Sequence, residues 1–105
     1  MTTGVRVTKK KILTQLGLVL DPEMNISIVD LGLVYDVKVN TDATINIVMT
    51  LTTMGCPLFG VIEADIYQQL SALGIEQKQV KIDLTFDPPW DIERLTARGK
   101  AMLGI

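Results

Sequence analysis

Between Ile45 and Phe86 the hydrophobic period of the chain changes twice, and no other feature restricts the fold as much. Ile45, Ile47, Met49 and Leu51 alternate with Asn46, Val48, Thr50 and Thr52, which is the period of a strand. Leu58, Ile62, Ile66, Leu70 and Leu73 then recur at helical spacing. Pro57 suits the first turn of that helix, where its missing N–H costs nothing, and Gly74 suits its end. Val80, Ile82, Leu84 and Phe86 return to alternation against Lys81, Asp83, Thr85 and Asp87. A strand, a helix and a second strand in this order form a crossover, which lays the second strand in the same sheet as the first.

The flanking segments complete the unit. Leu33, Tyr35, Val37 and Val39 alternate with Val34, Asp36, Lys38 and Asn40, and the polar run Asn40 to Thr44 reads as the loop of a hairpin into the next strand. Upstream, Thr8 can cap a helix reaching to about Val19, with Ile12, Leu13, Leu16, Val19 and Leu20 on one apolar stripe. Gly17 weakens it by about 1 kcal/mol relative to Ala. Asp21-Pro22-Glu23 stops it, and Ile26 and Ile28 open an extended stretch. After the last strand, Asp87-Pro88-Pro89-Trp90 breaks the pattern, and Asp91 can cap a short final helix holding Ile92 and Leu95. The expected order is α-β-β-α-β-α: a two-layer α+β domain with a small mixed sheet and helices mainly on one face. At 105 residues, with 48% of them apolar, the whole chain 1–105 fits one domain.

Composition closes off several functions. Charged residues are 21% and the net charge is −2, against the basic surplus of nucleic-acid binders. The run Lys9-Lys10-Lys11 reads as a solvated helix start. No segment approaches the roughly 18 apolar residues of a membrane span, and Met1 to Thr8 lacks the apolar core of a signal peptide. One cysteine cannot form an internal disulfide, which points to a reducing, cytoplasmic setting. With no histidine there is no Ser–His or Cys–His pair and no His-containing zinc site. Gly99-Lys100 lacks the upstream glycine and the hydroxyl of a P-loop.

What chemistry remains centres on Cys56, in the run Thr52-Thr53-Met54-Gly55-Cys56-Pro57 between strand-like and helix-like segments. It is the only soft ligand or strong nucleophile in the chain. At a helix start, unpaired N–H groups favour its thiolate; the alternative is a small buried hydrophobe. Thr50, Thr52 and Thr53 lead into it. Thr50 and Thr52 share a polar strand face that is either wet or used, with hydroxyls able to donate to a thiolate or to cluster ligands; ordinary strand propensity explains them equally. Asp21, Glu23, Asp30 and Asp87 are hard oxygen donors suited to iron, or simply turn formers and caps. Trp90 is either a lid on the core or an exposed contact, and its place directly after an apolar strand favours the lid. A thiol-dependent enzyme would have no histidine base and no resolving cysteine.

Asp21-Pro22-Glu23, the run Ile28-Val29-Asp30-Leu31-Gly32-Leu33-Val34-Tyr35, the run Met49-Thr50-Leu51-Thr52-Thr53 with Gly55-Cys56-Pro57, and the run Leu84-Thr85-Phe86-Asp87-Pro88-Pro89-Trp90 together resemble the metal–sulfur cluster biosynthetic family. That family includes SufT-like and PaaD-like proteins. The resemblance runs from about Val7 to Leu103. It implies an iron–sulfur-assembly-type domain acting as an auxiliary factor in cluster assembly or transfer to client proteins, rather than as a catalyst on a small molecule. It maps the family pocket onto Asp21, Glu23, Thr52, Thr53 and Cys56, with Leu33 as an apolar wall and Cys56 as the metal ligand. Where relatives have a proline before Gly-Cys-Pro, this chain has Met54. PaaD-like members carry extra cysteines that this chain lacks, which points away from the phenylacetate role. Some relatives are fused to a P-loop ATPase, so such a carrier is expected here in trans, beside the assembly machinery and client apo-proteins. A conventional cluster takes about four thiolates. One cysteine per chain therefore implies a transient iron–sulfur cluster, a homodimer sharing one, or an adaptor that holds none.

Overall fold

The computed structural model describes residues 8–52 and 59–105. Within them the chain forms α1 (Lys9–Leu16), β1 (Val34–Val39), β2 (Ile45–Met49), α2 (Phe59–Ser71), β3 (Val80–Leu84) and α3 (Ala97–Leu103), with short 3-10 turns at Gln77–Gln79 and Ile92–Arg94. β2 is central: β1 pairs with it antiparallel through the hairpin, and β3 pairs with it parallel after the α2 crossover. The α+β class, the hairpin and the mixed sheet are as the sequence predicts.

The two layers meet where the periodicities place them. Ile45, Ile47 and Met49 of β2 are all but inaccessible, as are Ile12 and Leu16 of α1 and Ile62, Ile66 and Leu70 of α2, and all belong to one core. On the opposite face of the sheet Asn46 and Val48 are half-buried and Lys81 is exposed. α1 packs on α2 and β1, and a Gln15 amide donates to Gln69 Oε1 across the helix pair at 3.0 Å.

Several boundaries move for local reasons. Thr8 caps α1 as expected, its hydroxyl accepting from the Lys11 N–H at 3.1 Å. The helix ends at Leu16 rather than near Val19, because the N–H groups of Leu18 and Val19 turn back to Gln15 and Leu16 and tighten the chain after Gly17. Val19 stays in the core, but Leu20 is exposed and leaves the predicted stripe. Ile26 and Ile28 are buried without forming a strand. A single antiparallel bridge joins Leu20 and Ser27, and the bonds Leu31 N–H to Ser27 C=O and Leu33 N–H to Ile28 C=O wind residues 27–33 into turns. β3 ends at Leu84, two residues before Phe86, although Thr85 still donates to Met49 C=O at 2.8 Å. After α2, Gly74 takes φ 82°, the left-handed conformation that releases the chain toward β3.

The C-terminal segment differs most. Asp91 does cap, but what it caps is only the 3-10 turn at Ile92–Arg94. The final α-helix starts later, at Ala97, capped by the Thr96 hydroxyl on the Gly99 N–H at 3.0 Å. The segment is tied back to the turn before β1. Asp30 C=O accepts the Thr96 N–H at 2.9 Å, and the Asp30 carboxylate accepts the Thr96 hydroxyl at 2.9 Å with Arg98 nearby at 3.6 Å. Trp90 donates from its indole N–H to Leu31 C=O at 2.6 Å and packs half-buried on the core, the lid arrangement.

This closure needs a bare backbone at Gly32, which has φ 75° and on which a Cβ would overlap the Arg94 carbonyl. Gly32→Ala should therefore lower unfolding stability by at least about 2 kcal/mol, combining left-handed strain with overpacking. Gly60→Ala, on α2 with nothing within 4 Å of the new Cβ, should not be destabilising. Urea unfolding of the two variants checks the contrast.

Candidate functional site

The segment that the sequence singles out follows the carboxyl end of the central strand. β2 closes at Met49, and the pairing continues one step further, with the Thr50 N–H donating to Leu33 C=O at 2.8 Å. This bond sets the predicted apolar wall, the fully buried Leu33, beside the strand end that leads to Thr52. Thr52 is half-buried. Thr53 and Cys56, and the Pro57 helix start, lie outside the described residues.

Thr50 departs from the alternating pattern. It was expected on a face that is wet or used, yet it is wholly buried, and so are Met49 and Leu51 on either side. Three consecutive buried residues mean that both faces are covered here, which strict alternation does not anticipate. The Thr50 hydroxyl has no hydrogen-bond partner among the described residues. A buried, unpaired hydroxyl costs about 1–3 kcal/mol.

Asp21 is buried to 5% exposure and has a defined task. Its Oδ1 accepts the N–H groups of Glu23 at 2.8 Å and Met24 at 3.2 Å, closing the turn that Pro22 enters. Its backbone pairs with Ile26 and Asn25 around the same turn, where Asn25 takes φ 56°. Glu23 is exposed on that turn. Among the described residues, no hydrogen bond joins Asp21 or Glu23 to Thr52, so the structure links Leu33 to the Thr50–Thr52 segment and leaves the two carboxylates on their own turn. Asp30 is engaged by Thr96 and Arg98, and Asp87 is exposed. Among the described residues no three cysteine or carboxylate side chains are arranged to hold a metal ion.

Next to Leu33, the residues Gly32 and Val34 line a surface groove of about 410 Å³ with Tyr35, Pro88 and Arg94. The Tyr35 hydroxyl donates to Pro88 C=O at 2.8 Å, and the Arg94 guanidinium lies 4.5 Å over the Tyr35 ring. Nothing in the separation of residues 35 and 94 announces this contact. Tyr35 sits where the register of β1 against β2 is irregular, between Val34 and Asp36.

The fold and this strand-end segment define a class. Residues 9–82 match the family described as iron–sulfur cluster assembly protein, and the chain belongs to that family. It is similar to the Fe-S protein maturation auxiliary factor YitW of Bacillus subtilis, with 40% identity over 97 residues covering 92% of this chain and 94% of that protein. It is also similar to an iron–sulfur cluster carrier protein of Synechocystis, with 35% identity over 77 residues covering 72% of this chain and 22% of that larger protein. A crystal structure of a domain of unknown function, DUF59, from Bacillus anthracis superposes with a TM-score of 0.84 at 37% identity, covering 92% of each chain.

Two substitutions test these assignments. Thr50→Val keeps the shape and removes a hydroxyl that has no partner among the described residues, so thermal or urea unfolding should show stability unchanged or raised by about 1 kcal/mol. Asp21→Asn retains an acceptor for the Glu23 and Met24 amides and should unfold close to wild type. Asp21→Ala should lose about 1 kcal/mol.

Proposed function

We propose that this chain is an auxiliary factor in iron–sulfur protein maturation, assisting the assembly of a cluster or its transfer to client apo-proteins, with Cys56 as the metal ligand. The observation that carries the reading is the family match over residues 9–82, a stretch that includes Asp21, Glu23, Leu33, Thr52, Thr53 and Cys56. The similarity to a maturation auxiliary factor over nearly the whole chain supports it.

The chemistry sets the mode of action. A lone thiolate meets about a quarter of the coordination of a conventional cluster. The cluster is therefore cargo, held briefly, with the remaining ligands coming from a donor, a client or a second copy of the chain. Thr52 and Thr53 hydroxyls would donate to cluster sulfur or to the thiolate. Glu23, exposed on its turn, and the second carboxylate oxygen of Asp21 are the hard donors that iron accepts. Leu33 walls the site with an apolar surface that strengthens these contacts. The partner that fits is the assembly machinery, with a carrier ATPase acting in trans. The similarity to a 22% portion of a cluster carrier protein supports that choice. Residues 1–105 would act as one such domain, in the cytoplasm; no helix among the described residues is long and apolar enough to cross a membrane.

One observation favours a second reading, that of an adaptor which docks a carrier on its client and holds no metal. Asp21 Oδ1 is already committed to two turn amides, and the described residues offer no ready metal site. Anaerobic reconstitution with iron and sulfide, wild type against Cys56→Ser, separates the two. A Cys56-dependent visible chromophore, at less than one cluster per chain, is expected. If neither protein binds iron and both restore iron–sulfur enzymes equally in a deficient strain, the sulfur has no part and the adaptor reading stands.

A further inference from the structure

β3 is an edge strand, and its sequence is complementary to itself. Among the described residues, the order β1-β2-β3 leaves one side of Val80–Leu84 without a neighbour in the sheet. Register decides which groups line that side. Met49 is opposite Leu84, and the Thr85 N–H bonds Met49 C=O, so Lys81, Asp83 and Thr85 point their peptide groups at β2. Ile82 and Leu84 therefore point N–H and C=O outward. Val80 points outward too, but its N–H is already given to Gln77 C=O. The chain beyond β3 does not return along this edge. It crosses toward the other side of the sheet, where Pro88 meets Tyr35 and Trp90 meets Leu31.

We infer that this edge pairs with the same edge of a second copy of the chain, antiparallel and centred on Ile82. In that register Ile82 faces Ile82 and exchanges both of its outward hydrogen bonds with it, while Leu84 N–H reaches Val80 C=O. Lys81 then stands opposite Asp83 of the second copy, and Asp83 opposite Lys81. Those are the non-hydrogen-bonded positions, where cross-strand side chains lie closest. In the single chain Lys81 Nζ lies 3.8 Å from Asp83 Oδ1, both well exposed, so pairing redirects an ion pair that water otherwise weakens. The core face gives a second reason. Ile45, Ile47 and Met49 are fully buried, but on the same face Ile82 is only half-buried and Leu84 is 39% exposed. Pairing sets Ile82 beside Ile82 and Leu84 beside Val80, extending the apolar face across the junction.

The other edge is already partly occupied. β1 carries a register irregularity between Val34 and Asp36, and the Val37 N–H, which points away from β2, is given to Asp36 Oδ1 at 2.9 Å, so it does not offer the paired exchange that Ile82 offers. A strand pair this short gives a weak, concentration-dependent dimer with a continuous sheet across both copies. The inference rests on the edge alone and is independent of the sulfur chemistry.

Sedimentation equilibrium of the full chain under reducing conditions, in wild-type and Cys56→Ser forms, should show the same reversible monomer–dimer equilibrium. Lys81→Asp and Asp83→Lys should each weaken it at least about tenfold by setting like charges opposite one another. An equimolar mixture of the two variants should recover the dimer, because an acidic edge then meets a basic one. The double exchange Lys81→Asp with Asp83→Lys should also recover it, and the amides of Ile82 and Leu84 should exchange with solvent more slowly at high protein concentration. A wild-type chain that stays monomeric at its highest soluble concentration overturns the inference, as does a dimer that these charge exchanges leave unchanged.

Discussion

The parallel pairing of β2 with β3 is the constraint on which the rest of the structure depends. Parallel neighbours cannot be joined by a tight turn, so the chain must leave the carboxyl end of β2, travel back the length of the strand and re-enter beside its start. Residues 50–79 are that return path, and α2 is its helical part. The hydrophobic cost of the arrangement is met by one core, in which Ile62, Ile66 and Leu70 cover Ile45, Ile47 and Met49. The same geometry puts the segment beginning at Thr52 where a strand hands over to a helix, the place in α/β structures where ligands are commonly received. Fold and candidate site thus share one cause.

The polar side chains divide between building that frame and serving it. Asp21 is the clearest case of the first. Its carboxylate closes a turn by accepting two amides, so a reading of it as a ligand has to work with its other oxygen. Asp30 is wholly structural, since both its carboxylate and its backbone hold the C-terminal segment. Thr50 is the opposite case: a buried hydroxyl with no hydrogen-bond partner among the described residues, six positions ahead of the only thiol in the sequence. Buried polar groups are nearly always paired, so a hydroxyl left without a partner calls for a reason of its own.

How much of this the sequence disclosed depended on the kind of force at work. Period and capping are local, so the Thr8 cap, the α2 stripe and the strands around Val37, Ile47 and Ile82 were legible residue by residue. The candidate site was legible as composition: a single sulfur, threonines before it and a matching family pattern. Where the structure answers to long-range contacts, the sequence was silent. α3 has no apolar stripe to announce it; it is held by Thr96 on Gly99 and by Asp30 sixty-six positions away. The full burial of Thr50 depends on both faces of the sheet being covered at that point, and nothing within its own strand signals it. Ile26 and Ile28 read as the opening of an extended stretch, but in the structure turns bury them.

The hold that Trp90 and Thr96 take on the turn at 30–32 bears on where this protein begins and ends as a physical object. The stretch matched to the family, residues 9–82, stops inside β3, within the ladder that pairs that strand with β2. Cutting there would divide that strand and strip away the indole over Leu31 and the partners of Asp30, leaving their carbonyls to water. The stretch matched to the family and the unit that folds are therefore different lengths of the same chain. Grafting the matched stretch alone onto another protein would transplant the candidate site without the clasp that closes its scaffold.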